Sequence, residues 1–333
     1  MTAAGSPEIA TFLPAGDAGV PPAPPAPGTG PRQAPHPGAG PITGWGPTSP
    51  CGDDCVPPVP AHPDPLLAAL GTIWAALRVV RRVVALLLVM LLAAVTALAL
   101  PLLGPRGRAA WLRAAAGAVL RAAGVRPAVR GDRRFGDGVL VVANHQSWIE
   151  ILALAAVQPV RLVAKSEIAA WPVIGPMAAA SGAVFVARGH LRSLPGTVEE
   201  IAATLRAGHT VAVFPEGTTW CGAAGGVFRR ALFQAAVDAR VPVRPVGVVV
   251  RERGVASRQA AFVGDQGLLD AVVRVLRCSR MECELTVQPL LSPNAGRAEL
   301  ALRAGAAVTA ATGVEHPARR SGADRAPGLS AAA

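Results

Sequence analysis

VLVVANHQSWIEILALAAV, residues 139–157, reads as a strand, a turn and a helix in succession. The apolar, β-branched run at 139–143 has the length of a buried strand, and the predominantly apolar run at 148–157 that of a helix. Asn144, His145, Gln146 and Ser147 interrupt the apolar pattern between them. The alternation continues outward from this stretch. Candidate strands fall at 160–164, 183–187, 210–214, 243–250 and 284–288, and candidate helices at 191–207, 228–239 and 268–276. Strands alternating with helices predict an α/β fold, a mixed, largely parallel sheet flanked by helices. Ligands of such sheets gather beyond the carboxyl ends of the strands. The residues just after 143 and just after 214 therefore stand where a site is expected.

The remainder of the chain divides by composition. Residues 1–65 are dense in proline, glycine and alanine and are expected to form a disordered tail, since they bury too few large side chains to offset the entropy of ordering. Residues 66–126 are expected to anchor the protein to a membrane: 83–103 is a charge-free apolar run, and as a helix rising ~1.5 Å per residue it would cross a ~30 Å hydrocarbon core. Pro101 and the adjoining stretch 66–77 leave a buried or interfacial helix open as the alternative. The strand-and-helix domain is expected over 127–312, and 313–333 as a second disordered tail. Residues 1–77 hold one arginine against five carboxylates, a net −4, so the rest of this +11 chain carries +15. Such a balance favours an anionic partner. Nucleic acid is disfavoured by the absence of tyrosine and of arginines interleaved with aromatic residues, which leaves the membrane surface. Arginines are more numerous after the apolar run than before it, and the positive-inside rule then puts the large domain on the cytoplasmic side of the cell membrane. The five cysteines read as inert thiols: Cys51 and Cys55 lie in a Pro/Gly-rich region, Cys221 is isolated, and Cys278 and Cys283 lack the partners of a zinc site. No metal and no bound cofactor are expected.

His145 and Glu150 are five residues apart, about 140° around a continuous helix, so they meet only if His145 lies in the turn and Glu150 in the first helical turn. Ser147 and Glu150 have the spacing of a capping box, which supports that geometry. It also offers a purely structural use for Glu150. On the functional reading the carboxylate fixes the imidazole tautomer and His145 is a general base. FPEGTT, 214–219, closes a candidate strand with a turn at Gly217 whose N–H groups suit an anion, with Thr218 and Thr219 as hydroxyl donors and Arg229 and Arg230 heading a downstream helix. Glu216 suits a substrate hydroxyl or a neighbouring arginine better than an anion. Arg188, at the end of the run 183–187, is either an exposed arginine or a guanidinium that grips phosphate, and Lys165 is a weaker candidate of the same kind. GAAGGV at 222–227 is not followed by the Lys-Ser/Thr pair of a P-loop, so a nucleotide enzyme is disfavoured.

NHQSWIE (144–150), GAVFVARG (182–189), FPEGTT (214–219) and VPVRPVGV (241–248) occur in the order and at roughly the spacing of the four motif blocks of the lysophospholipid acyltransferases. The sequence resembles that family over about 140–288, most closely its bacterial 1-acylglycerol-3-phosphate acyltransferases. The resemblance implies an α/β acyltransferase core on a membrane-embedded helical anchor. It implies that His145 takes the proton from the acceptor hydroxyl as the hydroxyl attacks an acyl thioester of coenzyme A or acyl carrier protein. It also implies that Arg188, Glu216 and Gly217 bind the glycerol-phosphate end of the acceptor, and it associates the fourth block, with Pro245, with the acyl-donor side. Glu150 stands where the family usually has aspartate, so Glu150→Asp is expected to be tolerated.

The expected function is acyl transfer to the free hydroxyl of 1-acylglycerol-3-phosphate, giving phosphatidic acid. The partners are a membrane lipid acceptor and acyl-CoA or acyl carrier protein. Another lysolipid acceptor, such as a lyso-ornithine lipid, is the enzymatic alternative. A catalytically silent protein that binds anionic lipid is the alternative of another class.

Overall fold

A computed structural model describes residues 49–58, 64–171, 174–186, 193–264 and 266–317. Helix α1, Pro65–Ala97, begins where Asp64 accepts hydrogen bonds from the backbone N–H groups of Leu66 and Leu67 at 2.8 and 3.1 Å, with Pro65 in the first turn, where a missing N–H costs nothing. It stops at Ala97, four residues before Pro101, which lies in a single 3-10 turn, Leu100–Leu102. The chain re-enters a helix at α2, Pro105–Ala123. The apolar run at 83–103 is therefore not one helix, because proline can neither donate to the helical ladder nor tolerate a helical residue before it. α1 remains long and apolar enough to cross a membrane, and Leu87, Leu88, Leu91 and Leu92 along it are exposed.

Arg82 is the buried exception on α1. Its guanidinium donates to the carbonyls of Leu276, Cys278 and Ser279 at 3.0, 2.7 and 2.9 Å, around the C-terminal end of helix α7, Leu268–Arg277. A cation at a helix C-terminus meets unpaired carbonyls and the negative end of the dipole. Gly124 closes α2 at φ +83°, and a Cβ there would fall 2.0 Å from Arg82 Cζ, so this cap needs glycine twice over. Arg82→Ala removes several charge-assisted hydrogen bonds, each worth roughly 1.5–3 kcal/mol. The expected result is a fall of several degrees in the unfolding midpoint of the detergent-solubilised protein, only partly restored by Arg82→Lys, whose ammonium cannot span the same carbonyls. An unchanged midpoint would show that α1 is not fastened to the domain through this residue.

The sheet comprises β1 (Val125–Gly131), β2 (Leu140–Ala143), β3 (Arg161–Lys165), β4 (Val184–Val186), β5 (Val211–Val213), β6 (Val243–Glu252), β7 (Val255–Ala256) and β8 (Met281–Val287). Its order is β1-β8-β6-β2-β5-β3-β4, with β7 folded back on β6. All neighbours along that order are parallel except β6 and β8. β1 is absent from the reading above because Pro127 and the flanking arginines disguise it; as an edge strand paired only to β8 it tolerates proline. The proline of central strand β6 is tolerated for a different reason. Gln288 N–H donates to Pro245 O at 3.0 Å, so Pro245's missing donor also faces β8, where the regular ladder starts one residue later at Val246.

Side chains alternate across the sheet with period two. Val141, Ala143, Val246 and Val248 pack with Leu120 and Ala123 of α2, Ile149 and Leu154 of α3 (Ile149–Val157) and Val275 of α7. Leu140, Val142 and Val213 pack on the opposite face with Ile201 of α5 (Leu194–Arg206), Phe233 of α6 (Phe233–Ala239) and Leu300 of α8 (Arg297–Thr312). Strands covered on both faces explain the continuous apolar runs in the sequence. α4, Ile174–Ala180, lies between β3 and β4.

Two expectations about the ends are corrected. Residues 49–58, assigned above to a disordered tail, fold against the domain: Ser49 Oγ donates to Thr219 O at 2.8 Å and Gly264 N–H to Cys51 O at 2.9 Å. Residues 313–317 likewise leave the second tail, and His316 is buried. Both segments are short, and their burial comes from partners far away in sequence, which composition does not register. The remainder of the two tails lies outside the described residues.

Candidate active site

β2 and β5 are parallel neighbours, with Leu140 opposite Val211 and Val142 opposite Val213. The segments that leave their carboxyl ends, NHQSWIE and FPEGTT, therefore emerge side by side. Asn144 secures the first. Its side-chain amide donates to Val248 O at 2.9 Å and its carbonyl accepts from Val248 N–H at 2.7 Å, pinning the end of β2 to β6.

His145 then turns back over the sheet and stacks on Phe214, with ring centroids 4.1 Å apart and planes at 15°. Its Nδ1 lies 2.7 Å from Glu150 Oε1. The same oxygen accepts the backbone N–H groups of Gln146 and Ser147, both at 2.6 Å, and Oε2 accepts from Ser147 Oγ at 2.9 Å. Glu150 is wholly buried. The capping box expected at Ser147 does not form: the N-cap of α3 is Trp148, and Ser147 Oγ accepts from Ile149 N–H at 3.1 Å. Glu150 holds the Ser147 N–H and orients the histidine with the same oxygen. An oxygen surrounded by donors makes Nδ1 the protonated nitrogen of a neutral ring, and Nε2 keeps the lone pair that can take up a proton. The His145 side chain is 12% exposed, so the ring is shielded but reachable.

Glu216 is engaged by the protein's own backbone. Its Oε2 accepts from the backbone N–H of His145 at 2.6 Å and its Oε1 from Gly226 N–H at 2.8 Å, and the residue is 3% exposed. It ties the histidine turn to the following loop. Trp220 N–H adds a second tie to His145 O at 2.8 Å. His316 approaches the brace from the far end of the chain: its Nε2 is 3.4 Å from Glu216 Oε1, its Nδ1 lies 2.9 Å from Val314 O, and its ring meets the edge of Phe228. Nothing local in the sequence around His316 marks this role.

Gly217 turns at φ +78° beside Arg229, whose Nε would lie 3.2 Å from a Cβ at this position. Arg229 and Arg230 precede α6 instead of heading it, because that helix begins only at Phe233. Thr218 and Thr219 are partly exposed, and the Thr219 hydroxyl donates to Phe262 O, joining this turn to the segment after β7. Lys165 ends β3 with Nζ 3.5 Å from Glu167 Oε1. Arg188 lies outside the described residues. The fourth motif block supplies β6: Arg244 is buried and donates to Phe135 O at 2.7 Å and Gln288 O at 2.9 Å, and Pro245 is buried within the sheet, so these two residues shape the scaffold below the site.

The Acyltransferase family model matches residues 123–249, which spans β1 to β6 and includes both motif turns. A lyso-ornithine lipid O-acyltransferase of Rhodobacter capsulatus is 33% identical over 198 residues, covering 57% of this chain and 71% of that protein. The chain belongs to the lysophospholipid acyltransferase family. A lyso-ornithine lipid O-acyltransferase of Pseudomonas aeruginosa is 38% identical over 171 residues, and a 1-acyl-sn-glycerol-3-phosphate acyltransferase of Neisseria gonorrhoeae is 36% identical over 146 residues. The matched segment covers 51% and 44% of this chain and 66% and 57% of those two relatives, so the likeness spans about three fifths of their length. The crystal structure of the 1-acyl-sn-glycerophosphate acyltransferase PlsC from Thermotoga maritima superposes with a TM-score of 0.55 over 73% of this chain and 96% of that one, at 19% identity, a likeness of fold. Within the segment matched by the family model, His145 and Glu150 are in contact at 2.7 Å.

Proposed function

We propose that the protein transfers an acyl chain from a thioester to the free hydroxyl of a lysolipid, with 1-acylglycerol-3-phosphate as the acceptor and phosphatidic acid as the product. The observation that carries this reading is the His145–Glu150 pair, seated at the end of β2 and braced through the His145 backbone by Glu216. Nε2 of His145 removes the acceptor's hydroxyl proton as the oxygen attacks the thioester carbonyl. The oxyanion intermediate collapses by breaking the carbon–sulfur bond, and the imidazolium returns its proton to the departing thiolate. Carbon, proton and charge balance without a covalent acyl-enzyme. The buried carboxylate stabilises the imidazolium between the two transfers.

The acceptor and donor follow from the resemblance together with the relatives' names. A lyso-ornithine lipid is the second reading, favoured by relatives bearing that name at 38% identity against 36% for the glycerophosphate type. The acyl donor is acyl-CoA or acyl carrier protein. The enzyme works at a membrane with α1 as its anchor and the sheet domain on the cytoplasmic side, in accord with the arginine excess that follows the apolar run. The deciding experiment presents the full-length protein in lipid vesicles with labelled acyl-CoA or acyl carrier protein and, separately, each acceptor. Labelled phosphatidic acid, with at least tenfold preference over the ornithine acceptor, is the expected result. Preference for the ornithine acceptor would reassign the substrate, and no transfer to either would overturn the enzymatic reading.

A further inference from the structure

Cys51, Cys55 and Cys221 converge, which corrects their reading as scattered, inert thiols: their sulfurs lie within 4.8 Å of one another and all three residues are buried. Two come from the short turn Cys51-Gly52-Asp53-Asp54-Cys55, held by Cys55 N–H to Gly52 O at 3.1 Å and Val56 N–H to Asp53 O at 3.0 Å. The third follows the FPEGTT turn. Sequence gave no warning, because the third sulfur stands more than a hundred and fifty residues from the other two.

The segment that carries Cys51 and Cys55 is held beside the loop that carries Cys221: Ser49 Oγ donates to the carbonyl of Thr219, two residues before Cys221, at 2.8 Å. The three sulfurs are unbonded to one another, and a disulfide between any two would leave the third unpaired. Ala261, Val263 and part of Trp220 wall the cluster off. Sulfurs bound at ~2.3 Å around a tetrahedral zinc ion are ~3.8 Å apart, so closing on an ion asks for movements of about an ångström or less.

We propose that Cys51, Cys55 and Cys221 form a three-thiolate metal site, with zinc as its ion and a solvent molecule or small anion in the fourth position. Zinc is the fit because thiolate is its usual structural ligand and three negative sulfurs offset its charge. The site would tie the segment 49–58 to the loop that positions His145. That loop carries Trp220, whose N–H holds His145 O, and Gly226, whose N–H holds Glu216. Gly222 in the same loop packs so closely on Gln146 that a Cβ would fall 2.4 Å from its Nε2.

The test reads metal content, which is independent of any acyl-transfer assay. The full chain is purified without chelators or an affinity tag that binds metal, and zinc, copper, iron and nickel are measured by inductively coupled plasma mass spectrometry. About one zinc per chain is expected, falling at least tenfold in each of Cys51→Ser, Cys55→Ser and Cys221→Ser. Because a serine variant that fails to fold would also lose metal, the unmodified protein is treated in parallel with a mercurial thiol reagent and a zinc-binding dye. Release of one zinc on modification of three thiols supports the site. Less than a tenth of an equivalent after incubation with zinc, zinc retained by folded serine variants, a different metal in its place, or a disulfide joining two of the three would each overturn it.

Discussion

His145→Ala is expected to lower kcat for acyl transfer by about 10²–10⁴, the usual worth of a positioned general base, while the protein stays folded. Nε2 is the nitrogen left to accept a proton once Nδ1 is committed to Glu150. Stability should fall only modestly. The ring stacks on Phe214 at the edge of the core, and Glu150 retains two backbone donors and the Ser147 hydroxyl when the imidazole is gone. Activity and the thermal unfolding midpoint are to be measured on the same preparation. Full turnover by a folded His145→Ala variant would remove the histidine from the chemistry.

The second large effect separates the charge of Glu150 from its geometry. In Glu150→Gln the side-chain oxygen must stay at the Oε1 position, because the N–H groups of Gln146 and Ser147 both point there. The amide oxygen then still accepts from His145 Nδ1, and the correct tautomer persists. What is lost is the negative charge that stabilises the imidazolium, so kcat should fall by about 10²-fold, at the low end of the general-base range, with little change in acceptor KM. Glu150→Asp keeps the charge but withdraws it by one methylene from a fully buried site. Unpaired buried N–H groups cost ~1–3 kcal/mol each, so the aspartate variant should be markedly less stable and also slower. This reverses the expectation drawn from the motif alone, in which aspartate was interchangeable. An aspartate variant with wild-type midpoint and turnover would show that the turn can close by that distance.

Several parts of the site were legible because their signals are local. The apolar run before Asn144 and the one before Pro215 place both motifs at strand ends, and the five-residue spacing of His145 and Glu150 demands a turn followed by a helix. The Pro/Gly turn at FPEGTT was equally clear. The part played by Glu216 was not. A carboxylate beside a glycine turn carries no local sign of its partners, and only the fold brings His145 N–H and Gly226 N–H to its two oxygens. β1 was hidden by Pro127, and the end of the long apolar helix was misplaced because hydropathy counts residues through Pro101, where the backbone cannot continue a helix.

From the sequence alone came the α/β layering, the positions of the two motif turns and the presence of a long apolar helix, since periodicity, turn residues and apolar length act within a dozen neighbouring residues. The tertiary structure decided which distant groups meet: Glu216 with the His145 backbone, His316 with Glu216, Arg82 with the carbonyls after α7, and Cys221 with Cys51 and Cys55. Those contacts depend on strand order and on how the chain closes over the sheet. Many backbone paths share one hydropathy pattern, and it is packing of the whole that selects among them.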